Sequence, residues 1–112
     1  MKKCKAEGCD NQKPKRGSWC NICRNSRQRY GITGPERENI LLEQKGLCKI
    51  CNSNIKFDGT RSQYSACVDH CHETLNIRGI LCGNCNTWLG YLENKKIDLN
   101  VVKNYLNDVL LK

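Results

Sequence analysis

A chain of 112 residues with one Phe, two Trp and four Tyr has little apolar material, so burial alone would leave it marginal and it needs staples. Ten cysteines supply them, as disulfides or as metal ligands. No apolar run of about 18 residues and no apolar core behind Met1-Lys2-Lys3-Cys4-Lys5 argue against a membrane span or a signal peptide, and a cytoplasmic chain keeps its thiols reduced and free to bind zinc.

Residues 1–32 read as a first module. Cys4-x4-Cys9 and Cys20-x2-Cys23 both let two sulfurs converge on one ion about 2.3 Å from each. Lys13-Pro14-Lys15-Arg16-Gly17 is a basic loop between the pairs. A short helix from Cys20 to Tyr30 carries Arg24, Arg27 and Arg29, and Gly31 ends it. Residues 1–30 hold nine Lys/Arg against two acids; residues 31–112 hold ten against nine. Two four-thiolate zinc sites at −2 each bring the formal charge of +8 down to about +4, so a basic N-terminal face persists. Nucleic acid is the natural partner of such a face, with Lys13, Lys15, Arg16, Arg24 and Arg27 as candidate contacts; the plainer reading is a solvated surface.

Residues 33–96 read as a second module. Pro35, Glu36, Glu38 and Gly46 bound a helix over 35–45 with Ile40, Leu41 and Leu42 on its buried side. Cys48-x2-Cys51 is a zinc knuckle. A polar stretch with an Asp58-Gly59 turn leads to a strand over 64–70, a loop over 73–76 and a returning strand over 77–81. Cys82-x2-Cys85 then opens a helix over 84–92, with Leu89 and Leu92 on one stripe and Trp88 and Tyr91 read as core. Cys48, Cys51, Cys82 and Cys85 form one structural zinc site. Residues 97–112 read as a helix capped by Asp98, with Val102, Leu106, Val109 and Leu110 as a packing or homodimer face. Cys67 and Cys71 are read as free thiols. The fold class is a small zinc-stabilised α+β protein.

The chemistry-bearing residues lie between the Cys pairs. Asp69 and His70 end the first strand and Asn86 follows Cys85, so the zinc fixes one group relative to the other. Asp and Asn oxygens suit Mg²⁺, and His70, with a reference pKa of about 6.5, suits proton removal from water. A cation on the phosphate and a base on water are the minimum for phosphodiester hydrolysis.

These residues resemble the recombination endonuclease VII family of His-Me finger (ββα-metal, HNH-like) nucleases. The match is Cys48-x2-Cys51, Val68-Asp69-His70-Cys71-His72-Glu73, Ile77-Arg78-Gly79-Ile80-Leu81-Cys82-Gly83-Asn84-Cys85-Asn86 and Gly90, over residues 36–94. The resemblance implies a DNA endonuclease with Asp69 and Asn86 on a catalytic Mg²⁺ (or Mn²⁺), His70 as general base and His72 as an assisting or phosphate-contacting residue. Arg78 could contact phosphate or be a solvated strand residue. Cys71 stands where family members usually carry an acid, and Leu89 where the junction-resolving phage member has a metal-site Glu. The N-terminal pattern is similar to small zinc fingers preceding such domains in phage-type nucleases. Junction-resolving, nicking, homing and restriction roles all fit, and the rival reading is a non-catalytic zinc-finger DNA-binding or adaptor protein.

Overall fold

The computed structural model describes residues 2–108. Its elements are α1 (Asn21–Tyr30), α2 (Gly34–Glu43), β1 (Ala66–His70), β2 (Ile77–Cys82), α3 (Gly83–Lys95) and α4 (Leu99–Asn107). The mixed α+β architecture agrees with the expectation. β1 and β2 pair antiparallel, with Ala66 opposite Cys82 and Val68 opposite Ile80. α3 packs on both strands and α2 on β2.

The helix starts follow from local chemistry. α1 and α3 both begin behind a cysteine: Cys20 Sγ accepts from the Cys23 N–H, and Cys82 Sγ from the Cys85 N–H. The first cysteine of each Cys-x2-Cys pair is thus a helix N-cap, with its sulfur facing the positive end of the helix, at a spacing that also suits a metal-ligand pair. α2 begins with a capping box, in which Glu36 N–H donates to Thr33 Oγ1 and Thr33 N–H to Glu36 Oε1. α1 ends at Gly31 in the left-handed conformation, as its sequence predicts.

The core has two parts. The larger joins Leu41, Cys48, Ile55, Val68, Ile80, Leu81 and Cys82, with Tyr30, Phe57 and Leu89 packed against it. The smaller is Cys4, Ala6, Cys20 and Cys23, flanked by Cys9 and Trp19. Cysteines make up most of the smaller core, so its stability depends on what the sulfurs bind. The Gln44 amide borders β2: its Nε2 donates to Ile80 O and its Oε1 accepts from Ile80 N–H, both within 2.9 Å. A polar side chain from the C-cap of α2 thereby covers a strand edge.

Several expectations shift. β1 starts at Ala66 rather than at residue 64, because Asp58 Oδ1 gathers the Thr60 N–H and the Thr60 and Ser65 hydroxyls, holding 58–65 as a turn. Those bonds hold the Asp58 carboxyl down at about 2. α3 continues past residue 92 to Lys95. Trp88 and Tyr91, read as core, are about half exposed at 49% and 56%. In α4, Val102 is half-buried and Leu106 exposed. Val109 and Leu110 lie outside the described residues.

Candidate metal centres and active-site cleft

The sulfurs of Cys4, Cys9, Cys20 and Cys23 lie within 4.8 Å of one another, and so do those of Cys48, Cys51, Cys82 and Cys85. Sulfur–sulfur separations are 3.8 Å for Cys9–Cys20 and Cys9–Cys23 and 3.7 Å for Cys51–Cys82. A tetrahedron with about 2.3 Å zinc–sulfur bonds has edges of about 3.8 Å, so both groups fit zinc. Backbone N–H groups complete the sulfur shells. Ala6 donates to Cys4 Sγ at 3.5 Å and Gly34 to Cys23 Sγ at 3.3 Å. The Gly34 bond ties the first four-cysteine group to the start of α2. The thiols differ in acidity. Burial pushes Cys23 up to about 12. Burial would raise Cys20 too, but the Cys23 N–H and neighbouring side chains outweigh it and bring it to about 7. The Ser53 hydroxyl and N–H lower Cys51 to about 6.

Asp69, His70, His72 and Asn86 all line one cleft of about 500 Å³, with Tyr30, Val68, Thr87, Gly90, Tyr91 and Asn94. β1 delivers Asp69 and His70, the turn after it His72, and the first turn of α3 Asn86. The His70 and His72 rings are 5.1 Å apart and tilted by 52°, brought together where the turn after β1 begins. The cleft brings together an acid, an amide and two imidazoles. Its oxygen donors are of the kind that suit a hard divalent cation.

Arg78 is engaged within the protein. Its Nε and Nη2 donate to Asp69 Oδ2 and Oδ1 at 2.8 and 3.0 Å, and its Nη1 and Nη2 donate to Glu93 Oε2 and Oε1 at 3.2 and 2.8 Å. The guanidinium holds Glu93 below the usual carboxylate range, and the two carboxylates raise Arg78. Tyr30, Glu93, Thr87 and Asn94 were missed in the sequence. Tyr30 and Glu93 reach the site only through tertiary packing, and no local spacing marks them.

The basic residues read as a DNA face are mostly on the surface. Lys15, Arg16, Arg24 and Arg27 are exposed and Lys13 is half-buried. Arg27 stacks on Trp19 at 4.0 Å from the ring centroid, which orients its guanidinium. Among the described residues, no helix is long and apolar enough to cross a membrane.

Two phage proteins share part of this sequence. The "Gene 59 protein" of Mycobacterium phage L5 is 42% identical over 59 residues, covering 53% of this chain and 33% of the relative. The "Gene 59 protein" of Mycobacterium phage D29 is 42% identical over 60 residues, covering 54% and 33%. The match thus spans about a third of the length of these curated relatives. No solved structure matches the chain. The family model described as recombination endonuclease VII matches residues 24–108, a wider stretch than the 36–94 that carries the sequence resemblance. Because that match takes in both strands, the helix behind them and the whole second cysteine group, the chain belongs to the recombination endonuclease VII family.

Proposed function

We propose that this protein is a metal-dependent DNA endonuclease that hydrolyses phosphodiester bonds at the cleft between β1 and α3. The observation that carries the reading is the meeting of Asp69, His70, His72 and Asn86 in one cleft, from segments pinned to a four-cysteine group. Family membership supports DNA as the substrate class, and the phage relatives support a role in an infected bacterial cytoplasm.

Asp69 and Asn86 would hold a divalent cation, Mg²⁺ or Mn²⁺, which supplies charge stabilisation to the scissile phosphate and its leaving 3′-oxygen. An imidazole nitrogen of His70 takes the proton from the attacking water, worth about 10²–10⁴-fold in rate. His72 steadies the His70 ring or contacts phosphate. The two four-cysteine groups would hold two zinc ions that stabilise the scaffold, apart from the reacting groups. Residues 1–32, with Lys13, Lys15, Arg16, Arg24 and Arg27, supply sequence-independent affinity for the DNA backbone. Residues 33–96 hold the reacting groups, and 97–112 pack or pair with a second copy.

Nicking of supercoiled plasmid with and without Mg²⁺ tests the proposal, with Asp69→Asn as the control. Mg²⁺-dependent nicking that Asp69→Asn removes is the expected result. DNA binding with no cleavage under any divalent ion would instead make the chain a zinc-finger binding or adaptor protein.

A further inference from the structure

β1 and β2 slip register at the point where the chemistry sits. Asp69 pairs with Gly79 and His70 with Ile77, so Arg78 is the extra residue of a bulge with no partner on β1. A bulge of this kind re-aims the side chain it frees. The Arg78 carbonyl is fixed by Lys49 Nζ at 3.0 Å. Its guanidinium then lies between two carboxylates, side-on to Asp69 and end-on to Glu93. Four of the five N–H groups of an arginine are thereby used.

The Asp69 side chain is only 11% exposed, so its plane is set by what it touches. A planar two-point fork fixes a carboxylate plane, which a single ammonium does not. Each Asp69 oxygen spends one bond on Arg78 and keeps acceptor capacity for another group. Glu93 offsets the guanidinium charge, so a cation approaching Asp69 meets less repulsion than an unpaired arginine would impose.

We propose that Arg78 and Glu93 are positioning residues for Asp69: the bulge delivers a guanidinium fork that fixes the carboxylate for a divalent cation, and Glu93 fixes and offsets the fork. This rests on the reading of Asp69 as a metal ligand. Neither residue touches the reacting atoms.

The test is Mn²⁺ binding to the zinc-loaded full chain, read by calorimetry and by the electron paramagnetic resonance signal of free Mn²⁺, with Asp69→Asn as the zero point. Arg78→Lys keeps the charge and loses the fork. Glu93→Gln keeps the shape and loses the offsetting charge. Both should weaken Mn²⁺ binding about tenfold or more, the usual effect of removing a group that orients a ligand. Melting of the zinc-loaded proteins is followed in parallel. Lowered melting with wild-type Mn²⁺ affinity would make the pair a brace between β2 and α3 and overturn the proposal. If Arg78→Lys fails to fold, Glu93→Gln decides alone, and unchanged affinity there rejects the idea. A wild-type protein with no Asp69-dependent Mn²⁺ uptake overturns the metal reading itself, and this proposal with it. Asp69-dependent uptake that neither variant alters rejects the positioning roles alone.

Discussion

The Tyr30 ring stands 5.8 Å from the His70 ring, tilted by 60°, so the last residue of the finger's helix forms part of the cleft wall. Tyr30 also packs against the larger core. The segment proposed to hold the DNA backbone therefore also borders the cleft. Tyr30→Ala should lower the cleavage rate at saturating DNA about tenfold or less, while DNA affinity changes little; Tyr30→Phe, which keeps the ring, should retain most of the rate. Aromatic contacts of this kind contribute about 0.5–1.5 kcal/mol, which sets the scale. Single-turnover rates beside binding titrations separate the two effects, and equal rates for wild type and Tyr30→Ala would remove Tyr30 from the site.

His70→Ala should remove cleavage and spare folding and DNA binding. Loss of a general base lowers the rate by about 10²–10⁴-fold. His70 is half-buried at the end of β1, so truncation leaves the core cluster of Val68, Ile80 and Leu81 intact. Single-turnover rates on plasmid DNA check this, and a rate within a few-fold of wild type would assign the proton transfer elsewhere.

The two four-cysteine groups and the nearness of Asp69, His70, His72 and Asn86 were legible in the sequence because their signals are local. A Cys-x2-Cys pair caps a helix at a spacing that also suits one ion, and Asp69-His70 and Asn86 adjoin the strand end and the second pair. Glu93, 15 residues beyond Arg78, carries no such signal, since its role depends on which face of α3 meets β2. The bulge that frees Arg78 is equally silent, because a register slip is decided by both strands together. The sequence reads as strand from Tyr64 onward, yet the Asp58 turn holds that segment and leaves Tyr64 57% exposed.

Elemental analysis should find two zinc ions per chain. Cys48, fully buried in the larger core with Leu41 and Ile80, is the most informative of the proposed ligands to remove. Cys48→Ser should lose one zinc and several kcal/mol of stability, because structural zinc binding is folding free energy; that is a drop of about 10 °C or more in Tm. Mild EDTA should instead stop cleavage without unfolding, with recovery on adding Mg²⁺ or Mn²⁺. A Cys48→Ser protein that melts like wild type would refute the scaffold role.

Gly83 tests the buttress behind the second metal group. A Cβ there would stand 2.6 Å from the Ser62 carbonyl oxygen, a backbone atom that cannot swing aside. The 62–63 segment is also held by the Asn84 N–H on Gln63 O at 3.3 Å. Gly83→Ala should therefore destabilise by about 1–3 kcal/mol through overpacking, despite the better helix propensity of alanine. Gly90 has open space around its Cβ position, so Gly90→Ala should be neutral or slightly stabilising by thermal melting. Equal melting of Gly83→Ala and wild type would show that this loop yields freely.

Nine of the nineteen basic residues lie in residues 1–30, so this module should carry most phosphate contacts while holding none of the groups proposed for proton transfer or for the Mg²⁺ site. Lys15 and Arg16 are exposed, and Lys13 Nζ is engaged only with the Pro14 carbonyl at 3.3 Å among its described bonds. Neutralising Lys13, Lys15 and Arg16 together should weaken binding similarly for all sequences. It should also flatten the slope of log K against log salt by about 0.9 per lost contact on duplex DNA. Titrations at three or more salt concentrations read both quantities. A sequence-dependent loss with an unchanged slope would make this loop a base reader. Unchanged affinity would move the binding face to the second module, where Lys95 and Lys96 at the exposed end of α3 are the next residues to neutralise. Arg78 is the poorer choice there, because its fork is already spent on Asp69 and Glu93.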